Sequence, residues 1–189
     1  MPKSNTITFS VNETLHQATI PMTTVNYLKT IADVGRSCGS NLNGYSCLED
    51  FILKNGAEWE RIETPRKYPR GIPQACFHNA QLLCMDNPEL TYCEGYAIGA
   101  IIPVLHAWVL TPNGEAIDNT WSKDHLKSAT QYVGVAMQLK YIIGELVKTR
   151  RHISLIDDYE HRFPILTAQR LRWEHPLNVK QRAKNGELI

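Results

Sequence analysis

The sequence lacks the features that mark membrane, secreted and nucleic-acid-binding proteins. No apolar run approaches the ~20 residues that a membrane-spanning helix needs, and residues 1–10 lack the apolar segment of a secretory signal. Positive charge is not in excess, because 20 Lys and Arg face 19 Asp and Glu and leave a net charge of +1. A dedicated nucleic-acid-binding protein normally carries a basic excess. We therefore expect neither a membrane nor a nucleic acid among its partners.

Cysteine is scarce and odd in number. The five cysteines cannot all pair, and those between Cys76 and His106 lack the Cys-x2-4-Cys or His-x3-5-His spacing of a structural zinc site. We expect free thiols, no metal and no cofactor, in a reducing, cytoplasmic location. Cys38, in a polar loop, is the one rival to Cys76 as a reactive thiol.

The length suits one domain, because 189 residues can bury a sizeable core without disulfides or metals. Residues 1–63 contain two stretches with the apolar spacing of helices and form a predicted N-terminal helical part. Residues 64–137 hold the predicted core, and residues 138–189 form a C-terminal extension with a further helix. The end of the chain, from about Asn178, is polar and basic and is predicted to fray.

Within the core, one helix precedes a series of strands. Residues 74–86 contain no Gly or Pro and repeat apolar residues at helical spacing, with Pro73 near the first helical position. Strand patterns follow at residues 92–103, 104–110, 115–121 and 132–137. This order predicts an α+β fold in which the helix packs on an antiparallel sheet, with extra N- and C-terminal helices.

The turn at residues 112–114 sets the pairing of two of these strands. Its Pro-Asn-Gly sequence suits a three-residue hairpin loop, a type I turn followed by a left-handed glycine. The resulting register places Trp108 opposite Asp118 and makes His106 and Asp118 diagonal neighbours on one face. A two-residue loop would turn Asp118 to the other face. The turn therefore predicts a hydrogen bond between the two side chains.

Cys76 is the candidate nucleophile. It lies in the first turn of the predicted helix, where unpaired amides and the helix dipole favour the thiolate. An imidazole held by a carboxylate is the second activator that such a thiol needs, and His106 and Asp118 are the candidates for these two roles.

Four elements now resemble a known family. In order, they are Cys76 at a helix start, Glu-Gly-Tyr at 94–96, His-Ala-Trp at 106–108 and Ile-Asp-Asn-Thr-Trp at 117–121. Together they resemble the transglutaminase-like core of the papain-like Cys-His-Asp superfamily, over roughly residues 70 to 122. The resemblance implies acyl transfer through a thioester, in which the cysteine attacks a carbonyl, the histidine shuttles the proton and the aspartate fixes its tautomer.

The mechanism implied by the resemblance also needs an oxyanion hole. The Cys76 backbone amide would supply one donor, and the candidates for the second are Gln74, Tyr68 and Asn79. Trp108 is expected to bracket the site. A protein or peptide is the expected substrate, and a small amide also fits. Whether water or an amine resolves the thioester stays open, so protease, amidase or deamidase, and transferase are all retained.

Two other functions are compatible with the same core. An arylamine N-acetyltransferase-like enzyme has the same triad order, and Arg70-Gly71 ahead of Cys76 vaguely resembles its Arg-Gly-Gly-x-Cys element. A non-catalytic protein-binding module on this fold is the second alternative. The presence of all three triad residues favours the enzyme, since a pseudo-enzyme usually lacks one of them.

Overall fold

The structure, a computed structural model, describes residues 23–99, 102–121 and 131–185. Its helices are α1 (Thr24–Ser37), α2 (Leu48–Asn55), α3 (Cys76–Asp86), α4 (Leu139–Thr149), α5 (Pro164–Thr167), α6 (Arg170–Trp173) and α7 (Pro176–Asn185). Its strands are β1 (Ala57–Trp59), β2 (Thr91–Ile98), β3 (Pro103–Leu110), β4 (Ala116–Ile117) and β5 (Tyr132–Met137). Among the helices in these ranges, none has the length and apolarity required to cross a membrane.

The strands form one sheet in the order β1-β5-β2-β3-β4. Each neighbouring pair is antiparallel, so β2, β3 and β4 form a meander and β5 returns to the other side of β2. The predicted α+β class with an antiparallel sheet is confirmed. The sheet also includes β1, which lies in the part of the chain predicted to be helical.

The two faces of the sheet carry different cores. On one face, α1, α2 and α3 pack with the apolar side chains of the central strands into the larger core. On the other face lies a smaller group of buried residues dominated by Trp59, Trp108 and Tyr132, with Trp121 against it and Leu177 of α7 beside it. We call these four aromatic residues the aromatic layer. Strand alternation explains the division, since successive side chains point to opposite faces.

The β3–β4 hairpin has the predicted register. The Thr111 backbone N–H donates to the Glu115 carbonyl at 2.9 Å, and Val109 pairs with Ile117. Gly114 has a φ of +86°, as the left-handed position of the three-residue loop requires. The predicted strand over residues 115–121 was too long, however, because β4 ends at Ile117.

Two further expectations were wrong. Pro73 does not begin the helix: it lies in a turn, Gln74 follows with a φ of +64°, and α3 starts at Cys76. The chain does not fray from Asn178 either, since α7 continues to Asn185. The Asn178 side chain is buried and bonds both the N–H and the C=O of Ala136, at 2.8 and 2.7 Å, which ties α7 to β5. The first twenty residues, whose short alternating stretches predict a strand or a loose arm, lie outside the described residues.

Candidate active site

The structure brings the three candidate catalytic residues together at the edge of the sheet. Cys76 is the first residue of α3, His106 lies on β3, and Asp118 follows the last residue of β4. Their exposed fractions are 9%, 2% and 2%, respectively. The His106 Nε2 atom lies 2.8 Å from the Asp118 Oδ2 atom, and the ring also interacts with the Cys76 thiol. The imidazole is therefore hydrogen-bonded to a carboxylate and lies close enough to the Cys76 thiol for that thiol to affect its pKa.

Asp118 accepts four hydrogen bonds. Besides His106, its Oδ2 atom accepts the Tyr132 hydroxyl at 2.9 Å, and its Oδ1 atom accepts the backbone N–H groups of Thr120 and Trp121 at 2.8 and 3.2 Å. Burial alone would raise the pKa of this carboxyl, but His106 and the two backbone donors outweigh it and lower the pKa. Because the carboxylate is ionised and only accepts, His106 must carry its proton on Nε2.

Burial opposes protonation of His106, yet the net effect is the reverse. The hydrogen bond with Asp118, the nearby Cys76 thiol and the negative charges of these two groups outweigh burial and raise the pKa of the ring to about 9. At neutral pH the ring is therefore an imidazolium, next to a cysteine at the start of a helix.

The aromatic layer packs against the imidazole. The Trp121 ring stacks on His106 with centroids 4.1 Å apart and planes 19° from parallel, and Trp108 lies farther away, at 6.4 Å. Tyr132 is tilted against the ring at 6.3 Å. These contacts restrict the orientation of the imidazole and keep water from the Asp118 side of the ring.

Asn79 does not lie free in the site as an oxyanion donor or substrate-binding residue. Its Nδ2 atom donates to the Thr120 hydroxyl at 2.9 Å and to the Ile72 carbonyl at 2.7 Å. Its Oδ1 atom accepts the Ile72 N–H at 2.9 Å. Both N–H groups of the carboxamide are thus in use, and the side chain joins α3 to the chain just after Asp118. Asn79 therefore holds α3 against this segment.

The structure also shows where the other three residues predicted to bind substrate or the oxyanion lie. Trp108 is completely buried in the aromatic layer, so it packs near the site without access to a substrate. Tyr68 is buried too, and its hydroxyl donates to Glu89 at 3.3 Å. Gln74 is exposed and lies two residues before Cys76 in the chain.

Backbone and side-chain hydrogen bonds hold residues 64–72 across the segment that follows β4. The Thr64 hydroxyl donates to the Asp118 carbonyl at 2.8 Å, and the Gly71 N–H donates to the Asn119 carbonyl at 2.8 Å. The Arg70 guanidinium binds the Trp121 carbonyl. The chain that leads into α3 therefore also holds the segment that carries Asp118.

The remaining cysteines have environments unlike that of Cys76. Burial raises the pKa of Cys84 to about 12 and that of Cys93 well above its ordinary value, which makes both thiols inert. Cys47 is half-buried, and burial raises its pKa as well. Cys38 is exposed at the end of α1. Within the described ranges, no cluster of three or more His, Cys, Asp or Glu side chains could hold a metal ion.

Tyr132 was not found from the sequence. The pattern of residues 132–137 indicates a strand, but nothing in it shows that the first side chain crosses two neighbouring strands to reach Asp118. That contact depends on the sheet order, in which β5 returns beside β2.

No protein-family model, curated protein or solved structure matches this chain. We therefore base its function on the residues of the site and their geometry.

Proposed function

We propose that the chain is a cysteine-dependent enzyme for acyl transfer or hydrolysis at an amide or isopeptide bond, with a transglutaminase-like Cys-His-Asp triad. The observation that carries this proposal is the position of His106, which is hydrogen-bonded to the buried Asp118 carboxylate and interacts with the thiol at the start of α3. Nucleophilic cysteine catalysis needs this arrangement of thiol, base and orienting group.

The proposed reaction proceeds in two halves. The Cys76 thiolate attacks the amide carbonyl carbon, a C–S bond forms, and the carbonyl electron pair moves to oxygen. As the tetrahedral intermediate collapses, the C–N bond breaks and the His106 imidazolium gives its proton to the leaving amine, which leaves a thioester. Neutral His106 then removes a proton from water or from a second amine, which attacks the thioester and releases Cys76.

The start of α3 supports the oxyanion. The first N–H groups of a helix have no acceptor within the helix, so the Cys76 amide can bind a developing oxyanion. Gln74, which is exposed two residues earlier, supplies the second donor in this proposal. A protein or peptide is the proposed substrate, and free thiols such as the exposed Cys38 suit a reducing compartment such as the cytoplasm.

The test is to trap the acyl-enzyme. The protein is incubated with peptide libraries that contain glutamine, asparagine and isopeptide-linked lysine, with and without a biotinylated primary amine, and acylated cysteines are located by mass spectrometry. We expect acylation of Cys76 that is absent in Cys76→Ala and retained in the control Cys38→Ala. Biotin incorporation would identify a transferase, and release of ammonia or of a cleaved peptide would identify a deamidase or a protease.

Absence of acylation at Cys76 across all substrates, or acylation that persists in His106→Ala at the wild-type rate, would contradict the proposal. Search for a binding partner would then take precedence. Transfer of an acetyl group from acetyl-CoA to an aromatic amine would identify the arylamine N-acetyltransferase-like alternative.

A further inference from the structure

Tyr132 and His106 share one oxygen of Asp118. The Tyr132 hydroxyl donates to Oδ2 at 2.9 Å, and the His106 ring nitrogen lies 2.8 Å from the same atom. A carboxylate oxygen can accept two hydrogen bonds, and each donor reduces the negative charge available to the other. The hydroxyl therefore competes with the imidazole for Asp118.

The sheet is built so that Tyr132 can reach this position. Tyr132 lies on β5, and β2 separates that strand from β3. The residue opposite Tyr132 on β2 is Ala97, and a Cβ added at Gly134 would come within 2.7 Å of the Trp108 ring. These small residues leave room for the Tyr132 and Trp108 rings, which meet edge to face with centroids 5.0 Å apart.

The hydroxyl acts as a donor and does not exchange its proton with the site. Burial and the adjacent Asp118 carboxylate raise the pKa of Tyr132 well above its ordinary value, and the positive charge of Arg61 acts in the opposite direction. The titratable groups that act on His106 itself are Asp118 and Cys76. Tyr132 therefore influences the imidazole through the carboxylate.

We propose that Tyr132 is a positioning residue of the triad, whose hydroxyl fixes the Asp118 carboxylate and limits how tightly that carboxylate holds the His106 proton. Its role in turnover rests on the function proposed above. Without the hydroxyl, Oδ2 interacts with His106 alone and the imidazolium persists to higher pH. The first half-reaction needs the imidazolium and is retained, whereas the second needs neutral imidazole and slows at neutral pH.

The experiment compares Tyr132→Phe with Tyr141→Phe. Tyr141 is a matched control, because it is also buried but its hydroxyl has no hydrogen-bond partner among the residues that the structure describes. The pKa of His106 is measured in the full chain by ¹⁵N NMR of the ring nitrogens. We expect a rise of roughly half a unit in Tyr132→Phe and no change in Tyr141→Phe. An unchanged or lowered pKa of His106 in folded Tyr132→Phe overturns the proposal.

Two further measurements separate the possible failures. The NMR titration uses no substrate, so it tests Tyr132 even if the chain proves not to be an enzyme, while an effect of His106→Ala on Cys76 acylation tests the proposed function. If Tyr132→Phe does not fold, the proposal is tested by proton NMR of the wild-type protein. Its Tyr132 hydroxyl proton, held by a buried carboxylate, should exchange slowly and show a nuclear Overhauser effect to the His106 Nε2 proton, and absence of that effect overturns the proposal.

Discussion

Replacement of Asp118 by Asn is the most informative single change at the site. The two side chains have nearly the same shape, but Asn carries no charge and has one acceptor oxygen. If that oxygen still accepts the backbone N–H groups of Thr120 and Trp121, the amide NH₂ group faces His106 and Tyr132. In the wild-type protein both of these side chains donate a hydrogen bond to this position. The imidazole must then move its proton to the other nitrogen to accept from Asn.

The expected size of the effect follows from the pKa of His106, which is about 9 in the intact site against an ordinary value of 6.5. Asp118 is the larger of the two partners that raise it, and burial of the ring lowers it. Loss of the carboxylate should therefore lower the pKa of His106 by roughly two units or more. At neutral pH about half of the rings or more would then be neutral, and their proton would lie on the nitrogen that faces away from residue 118, so that this nitrogen could not act as a base. We expect kcat to fall roughly 10³- to 10⁴-fold.

The same change alters the pH dependence of stability. Because the pKa of His106 is higher in the folded than in the unfolded protein, the protonated ring stabilises the fold; this stabilisation is fully present below about pH 6.5 and is lost as the pH rises through about 9. In Asp118→Asn, His106 should no longer contribute to the fall in stability over this pH range. The free energy of unfolding, measured by chemical denaturation at several pH values between 6 and 10, tests this.

The assay for the active site is alkylation of Cys76 by iodoacetamide at pH 7, followed by mass spectrometry, alongside ¹⁵N NMR of His106. Asp118→Asn should slow the alkylation at least tenfold, since the cation that stabilises the thiolate is lost. The control is Asp33→Asn, at an exposed aspartate that pairs with Arg36 on α1, and it should react like wild type. If the pKa of His106 instead stays near 9 in Asp118→Asn, the carboxylate is not the cause of the raised pKa and this prediction is wrong.

Three further changes test the framework of the site and the helix next to it. Asn79→Ala removes three hydrogen bonds that join α3 to Ile72 and Thr120. It should lower the free energy of unfolding by about 2–3 kcal/mol and slow Cys76 alkylation. A variant as stable as wild type with normal alkylation would show that Asn79 does not position α3. Gly134→Ala places a Cβ within 2.7 Å of the Trp108 ring and 2.6 Å of the Glu94 carbonyl oxygen, so its near-ultraviolet circular dichroism should change, and an unaltered spectrum would contradict the packing. Gly144→Ala meets no atom within 4 Å and should stabilise α4 by about 0.5–1 kcal/mol in chemical denaturation with alkylation unaffected; destabilisation would show that the helix is packed more closely there.

The pairing of His106 with Asp118 could be predicted because a local signal determines it. Pro, Asn and Gly at residues 112–114 select a loop length, the loop length selects the register, and the register selects which side chains share a face. Each step involves residues close in sequence. The start of α3 was harder to locate, because no sequence pattern shows that the Asn79 carboxamide folds back from α3 to bind both backbone groups of Ile72.

The supporting residues could not be predicted, since their contacts depend on how remote elements pack. Asn79 has the side chain of an oxyanion donor, and only the position of α3 against the end of β4 shows that its groups are already bound. Tyr132 is fourteen residues from Asp118 in sequence, and its approach requires β5 to return beside β2. Residue type and spacing therefore predicted the hydrogen bond between His106 and Asp118, whereas the contacts of Asn79 and Tyr132 required the tertiary structure.

The early end of β4 connects these observations. If the strand continued in regular pairing beyond Ile117, the N–H groups of Thr120 and Trp121 would not both point to the Asp118 carboxylate, and residues 64–72 could not bind the backbone of residues 118–121. The turn after Ile117 instead lets the Asp118 carboxylate accept the backbone N–H groups of its own loop with Oδ1 and bind the imidazole with Oδ2. Because β4 pairs with Val109 and Leu110, it does not cover the part of β3 that precedes Val109. The first turn of α3 lies beside this part of the sheet, and its Asn79 contacts Thr120. The early end of this strand, which the sequence predicted to be longer, therefore allows Asp118 to bind both its own loop and the His106 ring.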